Sequence, residues 1–360
     1  MSITQLAVVG AGLMGGGIAL DAARHGLAVK VHDSRPDGVA GLRERAAGVY
    51  ARWVRNGRMR PEEAEAALAR LLPAPALSDL ADADLIIEAV FEDLAVKRDL
   101  LATLAPHLGA DTVVATNTSA LEVKALSAGF GFADRFLGLH YFSPAEVSPL
   151  VEVVRADTTS QATLARALDF LSATRRTPLP CLDRPGFAIN RFFCPYYNEA
   201  TRLLEEGVAG PADVDGVARD RLGAAAGPFA VMNLIRPAVA AHAMANLSRL
   251  GPFYEPSTAL RAQAERGMDW PVGDSRPGAD LDAVEQRLLG ALALPAVELA
   301  AEGVADPDAV DRGAVLALKF SAGPFALMRR YAAETVERAV ASLCLRDGHP
   351  LPRASLAAQG

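Results

Sequence analysis

His140 and Glu152 stand twelve residues apart, in apolar strand-like runs on either side of a turn. An imidazole held by a carboxylate keeps one tautomer and can accept a proton near neutral pH, so the pair could act as a general base. A core histidine satisfied by a backbone group would leave the same local pattern. The setting has to separate the two. The pair follows Asn117-Thr118-Ser119, and it lies downstream of a glycine loop that reads as a dinucleotide site.

That loop is Gly10-Ala11-Gly12-Leu13-Met14-Gly15. It follows the apolar run Leu6-Ala7-Val8-Val9 and opens a helical pattern that runs to about His25 and stops at Gly26. Ala28 to His32 reads as a second strand, ending at Asp33. Strand, glycine loop, helix and strand make one βαβ unit, the context that gives the motif its meaning. Gly10 makes the tight turn, Gly12 admits a pyrophosphate, and Gly15 lets helix and strand approach closely. The helix end then offers N–H groups and positive potential to phosphate. Asp33 is placed to accept both adenosine ribose hydroxyls. A carboxylate there repels a 2′-phosphate, which favours NAD over NADP, although Arg35 stands close by.

Composition narrows the class. The 360 residues are 51% hydrophobic and 22% charged, as expected of a soluble globular chain with more than one core. A net charge of −7 argues against general nucleic-acid binding. The apolar start lacks a basic n-region, and glycines interrupt it, so neither a signal peptide nor a membrane span is expected. Cys181, Cys194 and Cys344 form no CxxC spacing and the histidines no HExxH, which fits a cytoplasmic protein without a metal site. Between residues 35 and 60, arginines 35, 43, 45, 52, 55, 58 and 60 face only Asp37 and Glu44. This island could meet the phosphates of a coenzyme A substrate, or pair with the acidic helix that begins at Pro61.

Further strands are expected at 83–90, 112–115, 136–140, 151–154 and 177–182, with each polar group of interest just after a strand end. Helical periodicity takes over after Pro185, and an internal repeat appears. Glu206-Gly207-Val208-Ala209 recurs 96 residues later as Glu302-Gly303-Val304-Ala305. At the same offset Asp215 matches Asp311, Gly227-Pro228-Phe229-Ala230 matches Gly323-Pro324-Phe325-Ala326, and Met232 matches Met328. The expected fold is α/β: a Rossmann-type doubly wound sheet over 1–184, then two tandem copies of an all-α module over 185–272 and 284–348. A Gly-, Pro- and Asp-rich linker at 268–283 joins the copies, and the tail after His349 is expected to be poorly ordered.

Together these motifs resemble the 3-hydroxyacyl-CoA dehydrogenase family. Gly10 to Gly15, Glu88-Ala89-Val90-Phe91-Glu92, Asn117-Thr118-Ser119, the block from His140 to Glu152, and Gly186-Phe187-Ala188-Ile189-Asn190-Arg191 occur in that family's order. Tyr141, Ser143 and the duplicated helical module look most like the dehydrogenase portion of multifunctional fatty-acid oxidation proteins. The resemblance implies NAD-dependent oxidation of the 3-hydroxyl of (S)-3-hydroxyacyl-CoA thioesters, with His140 as base and Glu152 orienting it. It implies that Ser119 and Asn190 hold the reacting hydroxyl or the thioester carbonyl. Cofactor contacts would come from Gly10, Gly12, Leu13, Met14, Gly15, Asp33, Glu92, Lys97, Asn117 and Ser143, with Glu92 and Lys97 at the nicotinamide ribose.

Three departures bear on these expectations. Ser143 stands where the family often has asparagine, Met268-Asp269-Trp270-Pro271 replaces a Gly-rich run, and 233–253 differs from the common sequence. The same chemistry on an acyl-carrier-protein thioester or a 3-hydroxy carboxylate is an alternative, as is a non-catalytic NAD-binding protein. The expected partners are a small acyl-CoA-type substrate, with neither nucleic acid nor membrane. The second helical copy could cover the face through which single-copy members pair, so the chain is expected to be a monomer or a homodimer.

Overall fold

In the first half of the chain, short runs of apolar and β-branched residues alternate with helical segments, and each run becomes a buried strand. The computed structural model describes residues 3–35 and 37–352, and the chain divides into two units, 1–183 and 184–360. Of the tail expected to lack order after His349, residues 353–360 lie outside the described residues.

The first unit runs β1 (Gln5–Val9), α1 (Leu13–Arg24), β2 (Ala28–His32), α2 (Gly38–Arg55), α3 (Pro61–Ala69), β3 (Leu71–Pro73), β4 (Leu85–Glu88), α4 (Leu94–Leu104), β5 (Val113–Thr116), α5 (Val123–Ser127), β6 (Phe136–Tyr141), β7 (Leu150–Arg155), α6 (Gln161–Ala173) and β8 (Thr177–Leu182). Among the described residues these strands form an eight-stranded sheet in the order β3-β2-β1-β4-β5-β6-β7-β8. The order reverses at β1, the switch point where open α/β sheets bind ligands. The Rossmann-type sheet is as expected, with two differences. The edge strand β3 has no sequence signature, being three residues long with Leu72 exposed and a terminal proline. And β7 runs antiparallel to β6, because the chain returns through residues 142–149 instead of crossing over by a helix. His140 and Glu152 therefore lie within strands, not after them.

The second unit contains α7 (Ile189–Glu205), α8 (Pro211–Asp220), α9 (Pro228–Ile235), α10 (Pro237–Ala245), α11 (Thr258–Arg266), α12 (Leu281–Ala301), α13 (Pro307–Gly313), α14 (Pro324–Met328) and α15 (Ala333–Asp347). The repeat is structural. Asp215 accepts from the amides of Phe229 and Ala230 at 2.8 and 3.0 Å, and Asp311 from those of Phe325 and Ala326 at 2.9 and 2.8 Å. A Cβ on Gly227 or Gly323 would lie 2.2 Å from the matching aspartate, so each glycine makes room for its cap. The copies also exchange ion pairs: Arg191 binds Glu302, and Arg287, its counterpart, binds Glu206, the counterpart of Glu302. Reciprocal contacts of this kind mark a two-fold-like interface. The linker is partly anchored. Trp270 is buried with its ring centroid 5.1 Å from that of Phe229, its amide donates to Asn233 Oδ1 at 2.7 Å, and α12 begins at Leu281. Among the described residues no helix is long and apolar enough to cross a membrane.

Candidate active site

The antiparallel return sets up the site. His140 and Glu152 are directly opposed in the β6–β7 register, so their side chains share one face of the sheet. His140 Nδ1 donates to Glu152 Oε2 at 2.6 Å, with Glu152 fully buried and His140 nearly so. The buried carboxylate fixes the tautomer that leaves the Nε2 lone pair to accept a proton. The Phe142 ring lies 4.6 Å from the imidazole, centroid to centroid, and helps hold its orientation.

A second charged group lies at the ends of β4 and β5. Glu88 closes β4 with no exposed surface, and its carboxylate accepts from Lys97 Nζ at 2.6 Å, the Val90 amide at 2.7 Å and Thr116 Oγ1 at 2.7 Å. Three donors are what a buried carboxylate needs. Lys97 Nζ also lies 3.3 Å from Glu92 Oε2. Glu92 Oε1 gathers the loop after β5, accepting from Thr118 Oγ1 at 2.7 Å and from the amides of Ser119 and Ala120 at 2.8 and 3.2 Å. Burial pushes the Glu92 carboxyl up, but the Lys97 ammonium and the donors from Thr118 and Ser119 outweigh it and hold the group below its usual range. Asn117 Oδ1 accepts the Tyr141 amide at 2.9 Å, tying this loop to the strand of His140.

The glycine loop has the form a dinucleotide requires. Gly10 has φ +102°, and a Cβ on it would meet the Ala89 carbonyl oxygen at 2.6 Å. A Cβ on Gly12 would meet nothing within 4 Å, which leaves room for a pyrophosphate at the start of α1. Leu13 is exposed there and Met14 half-buried. Asp33 Oδ2 accepts the Ala11 amide at 2.7 Å, while Oδ1 takes the Arg35 amide and its Nε at 2.9 and 3.2 Å. Burial raises the Asp33 carboxyl, but Arg35 and the backbone donors bring it below its usual value. The residues present fit NAD.

The sequence-derived set therefore divides by neighbourhood. His140 and Glu152 are bonded to each other, Asn117 accepts the amide of Tyr141 beside His140, and Ser119, Glu92 and Lys97 form the adjoining network. Lys97 is only 1% exposed and is committed to Glu88 and Glu92, so its ribose role reduces to what an ion-paired ammonium can offer. Ser143 is exposed in the loop after β6. Asn190 lies in the first turn of α7, in the second unit. Glu88 and Thr118 lie in the motifs that carry the family resemblance but, like Thr116, have no role assigned from the sequence, and all three join this network. Their polar types beside strand ends are a weak signal, because the contacts that define them are not local. The arginine island splits as well. Arg60 pairs with Glu62 and Glu63, Arg43 and Arg45 bind backbone carbonyls, and Arg52, Arg55 and Arg58 are exposed.

Residues 5–184 match the family model described as 3-hydroxyacyl-CoA dehydrogenase, NAD binding domain. The C-terminal domain model of the same family matches twice, at 186–268 and 284–358. The chain is 38% identical over 238 residues to the 3-hydroxyadipyl-CoA dehydrogenase of Escherichia coli K12, a match covering 65% of this chain and 50% of that protein's length. A probable 3-hydroxybutyryl-CoA dehydrogenase of Deinococcus radiodurans is 34% identical over 73% of this chain and 95% of its own length. In fold, the chain resembles the crystal structure of an Escherichia coli K12 3-hydroxybutyryl-CoA dehydrogenase, with a TM-score of 0.90 at 24% identity over 100% of this chain and 98% of that one. The glycine loop, the charged network and the base pair thus sit on a chain that belongs to the 3-hydroxyacyl-CoA dehydrogenase family.

Proposed function

We propose that this protein oxidises the 3-hydroxyl of (S)-3-hydroxyacyl-CoA thioesters to the 3-oxoacyl-CoA, reversibly and with NAD. The observation that carries this reading is the cross-strand His140–Glu152 pair, on the same sheet as a complete dinucleotide loop. NAD held at the glycine loop would supply the hydride acceptor for the hydroxyl-bearing carbon. His140 Nε2 takes the hydroxyl proton, and Glu152 stabilises the imidazolium that forms. Ser119 and Asn190 are the neutral side chains of the set, of a type that holds an oxygen without taking its proton. Glu92, kept ionised by Lys97, serves the nicotinamide ribose and keeps the Ser119 loop in shape.

A screen of 3-hydroxyacyl-CoA thioesters of increasing length, including ω-carboxylated ones, tests this by NADH formation. His140→Ala should lower kcat by about 10²–10⁴-fold, the usual worth of a general base. No turnover across the panel, or full turnover without His140, would sink the proposal. Pantetheine analogues of the same acyl groups distinguish a CoA enzyme from one acting on carrier-protein thioesters or free hydroxy acids. The exposed Arg52, Arg55 and Arg58 favour CoA, whose 3′-phospho-ADP they could meet. The reciprocal ion pairs between the helical copies support a monomer, and sedimentation at micromolar concentration would detect a stable dimer instead.

A further inference from the structure

Three successive glycines, Gly15-Gly16-Gly17, lie in the first turns of α1, where glycine is a poorer helix former than alanine. Each has a steric reason to be there. A Cβ on Gly15 would lie 2.0 Å from the Gly10 carbonyl oxygen, and one on Gly17 would lie 2.7 Å from Glu146 Oε2. At Gly16 the obstacle is a cation: the Cβ would fall 1.5 Å from Arg45 Nη2. Arg45 reaches over from α2 and donates to the Gly12 carbonyl at 3.0 Å. Its acceptor is a neutral carbonyl, so the charge is not cancelled by its partner. The other paired arginines of the island bind elsewhere: Arg35 on Asp33, Arg43 on Leu71 and Arg60 on Glu63.

The position of the contact gives it a consequence. Gly12 is the N-cap of α1, and its carbonyl also accepts the Gly16 amide at 2.9 Å. That carbonyl and the Leu13 N–H are the two ends of one peptide group. Leu13 is the first helical residue, whose N–H has no partner within the helix. A guanidinium on the carbonyl end polarises the peptide and makes its N–H a stronger donor. It also adds a full positive charge to the partial one at the helix end. We propose that Arg45 is a positioning residue for the cofactor's pyrophosphate, acting through the Gly12–Leu13 peptide, and that position 16 is glycine to admit it. This rests on the loop's being the NAD site, not on which hydroxyl is oxidised.

The test compares the wild type with Arg45→Gln, Arg45→Lys and Gly16→Ala. Direct titration reads the Kd of NADH, competition reads ADP-ribose and phosphate-free adenosine, and melting of the cofactor-free protein reports the fold. Arg45→Gln should weaken NADH and ADP-ribose by about tenfold, the scale of one charge-assisted hydrogen bond, and more at low ionic strength. Adenosine affinity and kcat at saturating NAD should stay within about twofold, as expected when only ligand binding is touched. Arg45→Lys should recover most of the loss. Gly16→Ala, which displaces the guanidinium without removing it, should weaken NADH binding although alanine is the better helix former. Unchanged NADH affinity in Arg45→Gln, or an equal loss for adenosine, overturns the proposal. Either result leaves turnover of hydroxyacyl-CoA, and so the proposed function, intact.

Discussion

The two helical copies share a frame but not a content. Both place an aspartate on the amides that open the third helix of the copy, both need a glycine beside it, and both turn out of the long helix at a positive-φ glycine, Gly207 or Gly303. The long helices themselves differ. α7 buries Asn198, Glu199 and Thr201, while the matching positions of α12 are Leu294, Pro295 and Val297, equally buried and apolar. Asn198 spends its amide on the Glu255 carbonyl and the Ser257 amide, both at 2.9 Å. Glu199 receives Arg287 and Arg346 from the second copy and Arg202 from its own helix. What recurs is what any copy needs in order to fold. What does not recur is what one copy does for the other or, on the proposed role of Asn190, for the reaction.

The largest test of this difference is Glu199. Glu199 is the fully buried carboxylate that three arginines share; without it they keep only Glu206 and Asp347 at the edge of the cluster, and breaking a buried ion pair costs up to about 3–5 kcal/mol. Urea unfolding of Glu199→Ala should show a loss of that size. A loss below about 1 kcal/mol, the range of a surface pair, would mean that the helices hold together by apolar packing alone. Next comes the asymmetry at the reaction. Asn190 in α7 matches Gln286 in α12. Asn190→Ala should lower kcat by about 10²-fold, the scale of one oxygen-holding donor. Gln286→Ala should leave kcat unchanged. Equal losses at the two positions would break the division into a reacting and a supporting copy.

Much of this frame was legible in the sequence, because its signals are local or periodic. The glycine loop with Asp33, the strand of His140 and the 96-residue offset each depend on spacing along the chain. Most pairings across the chain were not legible. The spacing of His140 and Glu152 about a turn did suggest that they pair, as they do, but not that β7 runs antiparallel, because an apolar run does not encode its direction. The ion pair of Lys97 with Glu88 was not legible either, because burial against a distant strand end leaves no periodic mark. β3 was too short and too exposed to stand out. Arg191, Arg287, Glu206 and Glu302 obey the offset, yet only the packing of α7 against α12 shows that they pair crosswise. Nothing local sets Gly16 apart within the glycine run, since Arg45, the reason for it, comes from another helix.

The smallest effect to look for is one of acidity, and here three carboxylates of the second unit oppose one another. Burial pushes Glu199 up, but hydrogen bonds from Arg346 and the charges of Arg287, Arg346 and Arg202 outweigh it, leaving the group below its usual 4.5. Its contribution to stability is therefore complete above that value and is lost as pH falls through the folded-state value. At Asp215 and Asp311 burial wins over the backbone donors, so both lie above the usual 3.8. Their contribution runs the other way. It is complete below 3.8 and is lost as pH rises through the folded-state values. Acid should thus loosen the clamp between the copies while relieving the strain on both caps. The wild type should show a shallower acid limb than Glu199 alone would produce. Urea unfolding followed from neutral pH to below the usual carboxylate range should show that limb flattened in Glu199→Gln and steepened in the double variant Asp215→Asn, Asp311→Asn. If all three limbs run parallel, these carboxylates do not titrate differently in the folded and unfolded chains, and the electrical contrast between clamp and caps disappears. If the two single cap variants differ from each other, the frame is less symmetric than its hydrogen bonds suggest.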